Sequence, residues 1–148
     1  EIDATASKKA GSLVRSSGRL LKSNNGKRTR IPGMLDMVQG MGLPLEAHNI
    51  SQVSMNLRDV SKTPMHIAYE AVRSIVNDHG VETCGSELVG LVPLSAMLDS
   101  GRWYAPEGCE DEAELVEAAI EGLGLSSLSA FKPNERIIEW ALNQEEIK

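Results

Sequence analysis

The sequence predicts an α+β fold, an α/β sandwich in which helices cover one face of a sheet. Three observations lead there. Residues 49–59, NISQVSMNLRD, alternate with period two, as a strand does. Residues 63–79 carry apolar side chains at helical spacing between a Thr-Pro start and a Gly stop. The predicted elements run helix, strand, strand, helix, strand, then further helices. A βαββαβ ferredoxin-like sandwich has this order once a strand preceding Glu1 is supplied. The chain opens on Glu1, without an initiator Met, and runs straight into a helical pattern, so it is expected to be part of a larger protein.

In chain order, residues 3–21 are read as an amphipathic helix. Asp3 or Thr5 caps it, and Ala6, Ala10, Leu13, Val14, Ser17 and Leu21 share one face. Residues 23–33, SNNGKRTRIPG, form a basic loop punctuated by Asn-Gly and Pro-Gly. Residues 34–46 are the first strand. Leu35, Met37, Met41, Leu43 and Leu45 alternate on one side, interrupted by Gln39, and Val38, Gly40, Gly42 and Pro44 lie on the other. Two glycines on one strand face leave room for a flat ligand or another backbone; a bulge is the competing explanation. Ala47 and His48 would turn the chain into the strand at 49–59, making a hairpin.

That second strand sends Val53, Met55 and Leu57 to a core face, and Gln52, Ser54, Asn56 and Arg58 to the other. A row of uncharged amides and hydroxyls suits a polar heterocycle; the competing reading is a solvated sheet face. The helix at 63–79 is capped by Thr63, with Pro64 in its first turn and Ile67, Ala68, Ala71, Val72, Ile75 and Val76 inward. His66, also in the first turn, reads as a surface or capping residue. Residues 81–93, VETCGSELVGLVP, form the third strand, in which Glu87 is the one acid beside apolar and glycine residues. A helical turn at 94–98 follows, then an acid-rich helix at 110–123 and a last helix at 133–143, started by Pro133.

At 148 residues the chain can bury roughly 70% of its unfolded surface as a single domain, without a disulfide or metal staple. Cys84 and Cys109 are the only cysteines and lack metal-ligand spacing, so they are read as free thiols of a cytoplasmic protein. No apolar run approaches a membrane span. The net charge of −6 is uneven. Residues 1–30 hold eight Lys/Arg against Glu1 and Asp3, and the remainder holds seven against nineteen acids. The acidic body, with no aromatics among the basic residues, argues against a nucleic-acid partner, whereas the basic start could meet an anion. Walker, GxGxxG and HExxH patterns are absent, no Ser or Cys sits in a nucleophile elbow, and the three histidines lack ligand spacing. The residues look like a binding half rather than a complete catalytic machine.

Five stretches then give a family likeness: VQGMG (38–42), NISQVSMNLRD (49–59), TPMHIAYE (63–70), GSELVGLVP (85–93) and FKPNERIIEW (131–140). In this order they resemble glutamate formimidoyltransferase, over nearly the whole chain, and in particular the carboxy-terminal subdomain of its transferase portion. The resemblance implies transfer of the formimino group of N-formiminoglutamate to tetrahydrofolate in histidine degradation, with tetrahydrofolate as co-substrate and no metal. It implies an amino-terminal partner subdomain that carries the catalytic histidine, so no catalytic residue is assigned here and the chain alone is expected to be inactive. It further implies a homodimer and, in some members, a fused cyclodeaminase. Matched residue by residue, Gln52, Ser54 and Asn56, with Gln39 and Glu87 behind them, are the expected folate-binding groups. Lys27, Arg28 and Arg30 are the expected contacts for a polyglutamate tail, because this chain has Met34 and Asp36 where the family carries basic residues. The alternative function is an inert interaction or dimerisation module that keeps the fold.

Overall fold

The computed structural model describes residues 12, 13, 15, 16, 19, 20, 22, 24–27, 30, 31, 33–46 and 49–145. Helices and antiparallel strands are both present, which makes the chain α+β. It divides into two compact units, Glu1–Thr63 and Pro64–Lys148.

The first unit is built from strands. β1 (Ser12–Leu13) pairs antiparallel with β4 (Arg30–Ile31), and β2 (Arg15–Ser16) with β3 (Arg19–Leu20). The helix expected over 3–21 is therefore corrected at its described positions; residues 3–11 lie outside them. Serines 12, 16 and 17 favour helix interiors poorly, and the Ser-Gly pair between Ser16 and its partner Arg19 is a turn-forming sequence. The β1–β4 pairing joins residues far apart in sequence, which local periodicity cannot register.

β5 (Val38–Leu45) and β6 (Ile50–Leu57) form the expected hairpin, eight residues to a strand. The predicted turn residues Ala47 and His48 lie outside the described residues, but Asn49, at φ 52°, donates its N–H to Glu46 O at 3.2 Å. At the other end Met37 also has a left-handed backbone, φ 56°. Its N–H is held by Asp36 Oδ1 at 2.9 Å, and its carbonyl accepts the Arg58 N–H at 2.9 Å. Thr63 closes this corner: its hydroxyl donates to Asp36 O at 2.6 Å. The expectation that Thr63 caps the following helix is thereby corrected. The buried hydroxyl is spent on the loop, and Pro64 occupies the cap position with no side-chain bond.

The second unit is helical. α1 (Met65–Asp78) ends where predicted, at Gly80 with φ 70°. α2 (Leu94–Tyr104) runs well past the single turn expected at 94–98. α3 (Glu112–Gly122) is capped by Asp111, whose Oδ1 accepts from Ala113 N and Glu114 N at 3.0 Å each. α4 (Pro133–Arg136) and α5 (Ile138–Glu145) replace the one helix expected there. The break falls on Ile137, which leaves the helical conformation to bridge Val92 in parallel: Val92 N donates to Arg136 O and Ile138 N to Val92 O. Met97, Ile137 and Val116 are fully enclosed, with Leu115, Ala119, Val92, Leu123, Leu125, Ala96 and Ala68 around them. The core therefore sits among the helices. α2 and α3 approach so closely that a Cβ on Gly101 would collide with the Leu115 backbone, and one on Gly122 with the Tyr104 ring.

The third strand expected at 81–93 does not form; only Val92 makes a bridge. Gly85 and Gly90 take φ values of 135° and 83°, outside strand geometry. Ser86 ties the segment down instead, its N–H to Gly124 O and its hydroxyl to Leu123 O at 2.6 Å. A Cβ on Gly85 would run into Ser127, so this glycine is a packing requirement.

Candidate functional site

The hairpin register decides which side chains share a face. Gln39 lies opposite Asn56, Met41 opposite Ser54 and Leu43 opposite Gln52, and directly paired residues point the same way. Gln52, Ser54 and Asn56 share a face, as the alternation predicts, and the register adds Gln39 to it, with Met41 and Leu43 alongside. Gly40 and Gly42 fall on the other face, opposite Met55 and Val53. The open patch that the two glycines could give a flat ligand is thus on the reverse side from the polar row. A Cβ at Gly42 would meet nothing within 4 Å, so no close backbone approach explains it.

Neither face is sealed. Gln52 and Ser54 are half-buried, Gln39 and Asn56 exposed. Val53, expected in a core face, is 46% exposed, and Met41 is 48% exposed. Among the described residues none of the four polar side chains has a hydrogen-bond partner, whereas every buried polar side-chain atom has one. Three amides and a hydroxyl in this arrangement can donate and accept at several points without imposing charge, which suits a heterocycle with mixed donor and acceptor edges.

The other predicted site residues are scattered. Glu87 is exposed in the irregular segment of the helical unit. Lys27 is exposed, with its N–H on Asn25 Oδ1 at 3.2 Å; Arg30 lies in β4, and Arg28 is outside the described residues. Among the described residues no helix is long and apolar enough to cross a membrane.

The helical unit holds a polar centre that the sequence reading missed. His66, expected at the surface, is only 7% exposed. Its ring stacks on Trp103 with centroids 5.1 Å apart and planes inclined by 21°, and Nδ1 lies 3.4 Å from the Ser100 hydroxyl. Ser100 is fully enclosed and donates its one proton to Ala96 O at 3.1 Å. Burial holds the imidazole below the usual histidine range, against the opposing pull of Asp99 and then Glu70. Glu70 in turn accepts from Tyr104 Oη at 2.9 Å and from Arg73 at 3.2 Å. Desolvation, and next the bond to Glu70, push the Tyr104 phenol well above its ordinary value. Reading α2 as one turn left Ser100 and Trp103 unplaced; the spacing of Ala96, Ser100 and Trp103 at four and three residues was the available signal.

Beside this centre a depression of about 370 Å³ is lined by Tyr69, Arg73, Cys84, Tyr104, Glu121 and Ser127.

Sequence comparison assigns this architecture to a class. Residues 3–143 match the pattern of the Formiminotransferase domain family. The chain belongs to that family. It is 45% identical over 112 residues to formimidoyltransferase-cyclodeaminase of Gallus gallus, an overlap covering 74% of this chain and 21% of that protein. The Dictyostelium discoideum protein of the same name is 40% identical over 126 residues, covering 83% of this chain and 23% of the relative. Glutamate formimidoyltransferase of Thermoplasma acidophilum is 38% identical over 89 residues, 60% of this chain and 29% of the relative. The chain thus spans about a fifth to a quarter of the cyclodeaminase relatives it matches.

Proposed function

We propose that this chain is the folate-holding half of a formimidoyltransferase, equivalent to the carboxy-terminal subdomain of the transferase portion, with the hairpin as part of a ferredoxin-like sandwich. The observation that carries the reading is the polar row: Gln39, Gln52, Ser54 and Asn56 share one hairpin face and none has a side-chain hydrogen-bond partner among the described residues. In this role they hold the pterin and the transferred one-carbon unit by neutral hydrogen bonds. Family membership supports the reaction type.

The reaction moves the formimino group of N-formiminoglutamate to tetrahydrofolate, a step of histidine degradation. A folate ring nitrogen attacks the formimino carbon, the new C–N bond forms as the bond to the glutamate nitrogen breaks, and the proton of the attacking nitrogen ends on the departing amine. Acid–base help comes from a histidine of an amino-terminal subdomain. Lys27, Arg28 and Arg30 meet a polyglutamate tail, Glu87 lies behind the pterin groups, the working protein is a cytoplasmic homodimer, and the chain alone is inactive.

Calorimetry of the full-length protein with 5-formyltetrahydrofolate tests the reading. Removing one neutral hydrogen bond by Asn56→Ala should weaken binding by about 1 kcal/mol, roughly fivefold. Unchanged affinity removes Asn56 from the site, and a full-length protein that binds no folate removes the reading itself.

A further inference from the structure

Asn25 is the only asparagine of the sequence that precedes a glycine, and the pair lies in an exposed turn between β3 and β4. Lys27 N–H is bonded to Asn25 Oδ1 at 3.2 Å, which folds the side-chain amide back over the Gly26 peptide between them. Gly26 N–H has no acceptor among the described residues. A Cβ at Gly26 would meet nothing within 4 Å, and its φ of 76° is one that glycine enters without steric cost, so no side chain shields its nitrogen. Asn25 Cγ is thus a carbonyl carbon held beside an unbonded backbone nitrogen, with a backbone donor on its oxygen. Negative charge that develops on Oδ1 during attack falls on the Lys27 N–H, as in an oxyanion hole. Lys22, Lys27, Arg28 and Arg30, with no acid among residues 22–30, further favour an anionic intermediate.

We propose that Asn25 is a self-modification site, at which Gly26 N closes on Asn25 Cγ and water then converts the pair to aspartyl-glycine or isoaspartyl-glycine. The N–Cγ bond forms as the Cγ–Nδ2 bond breaks, and the proton of Gly26 N leaves with the side-chain nitrogen as ammonia. Water opens the five-membered imide at either carbonyl. One opening restores the main chain; the other routes it through Cγ and lengthens the connection from β3 to β4 by a methylene. Both products place a new carboxylate among the four cations of residues 22–30. The functional consequence rests on the reading of this stretch as the polyglutamate contact: converted protein holds a polyanionic tail less tightly than fresh protein. Asn56 in β6 and Asn77 in α1 precede larger residues within regular structure, which resists ring closure, so they serve as internal controls.

Peptide mapping by mass spectrometry of full-length protein, aged in warm and mildly alkaline buffer, tests the modification. The peptide holding Asn25 should gain the mass difference between an amide and an acid, with an isoaspartyl fraction, while those holding Asn56 and Asn77 stay unchanged. The synthetic peptide SNNGKR, aged alongside, gives the rate of the sequence without the turn, and the protein should convert at least as fast. Asn25→Gln, which would have to close a larger ring, should abolish the gain. A protein that keeps Asn25 intact, or converts it more slowly than the peptide, overturns the proposal. Asn25→Asp carries the new charge from the start. It should weaken binding of polyglutamylated 5-formyltetrahydrofolate about threefold and leave the monoglutamate unaffected. Equal polyglutamate affinity in the variant and the wild type overturns the loss of tail binding. A wild-type protein that binds no folate defeats the folate-half reading, and the peptide map still decides the modification.

Discussion

In the helical unit the fully enclosed Ser100 gives its proton to Ala96 and lies beside His66, Trp140 Nε1 reaches Glu112 at 2.9 Å, and Glu139 takes the Leu94 N–H at the start of α2 at 2.7 Å. In the hairpin, Gln39, Gln52, Ser54 and Asn56 find no side-chain partner among the described residues. The apolar groups divide the same way. Met97, Ile137 and Val116 are enclosed among helices, while Met41 and Val53 stand half exposed on opposite hairpin faces. One region spends its side chains on its own stability and the other keeps them available. Substitutions in the two regions should therefore fail in different ways.

The largest effect belongs to Gly101→Ala. A methyl group there would overlap the Leu115 backbone, with the Leu115 carbonyl carbon only 2.7 Å away. The neighbour is backbone in a capped helix and cannot swing aside, so α2 and α3 must separate. The expected loss is about 3 kcal/mol or more, read from urea unfolding. Met97→Ala, which empties a fully enclosed site, should cost about 2–5 kcal/mol. If either change left the unfolding midpoint in place, the helical unit would not be the stability core.

How far the sequence speaks follows the same division. α1 and α3 were legible because an amphipathic helix writes its buried stripe locally, and Gly80 marks the end of α1. The hairpin was legible from alternation alone, down to the shared face of Gln52, Ser54 and Asn56. What alternation could not give was cross-strand register, which put Gly40 and Gly42 opposite Val53 and Met55 rather than beside the polar row. The segment at 81–91 misled for a related reason. Its apolar residues suit a strand, but a strand exists only through a neighbour, and Ser86 and Gly85 are committed to the turn at Gly124 and Ser127. His66 was misplaced because its burial is created by Ser100 and Trp103, more than thirty residues away.

A pH titration sharpens the contrast. Burial lowers the folded-state pKa of His66 below its unfolded value of about 6.5, with Asp99 and Glu70 acting in the opposite sense. Its neutral form therefore adds stability that is fully present above the unfolded value and is lost as pH falls through the folded one. Urea midpoints should drop as pH falls below the unfolded value of about 6.5, and His66→Phe should flatten that drop. Parallel pH profiles for the two proteins would place the imidazole in water, contrary to its stacked and covered position.

The smallest change in stability is expected where the largest change in binding is. Gln52→Ala and Asn56→Ala remove side chains that make no protein hydrogen bond, so unfolding midpoints should move by less than about 0.5 kcal/mol. Val53→Thr, on the reverse face, provides the control: it should spare 5-formyltetrahydrofolate affinity, whereas Gln52→Ala and Asn56→Ala should weaken it. A polar row that proved costly to stability and indifferent to folate would be serving the fold, and the distinction between the two regions would collapse. A row that is neutral to unfolding yet required for the ligand can only have been kept open for something outside the chain.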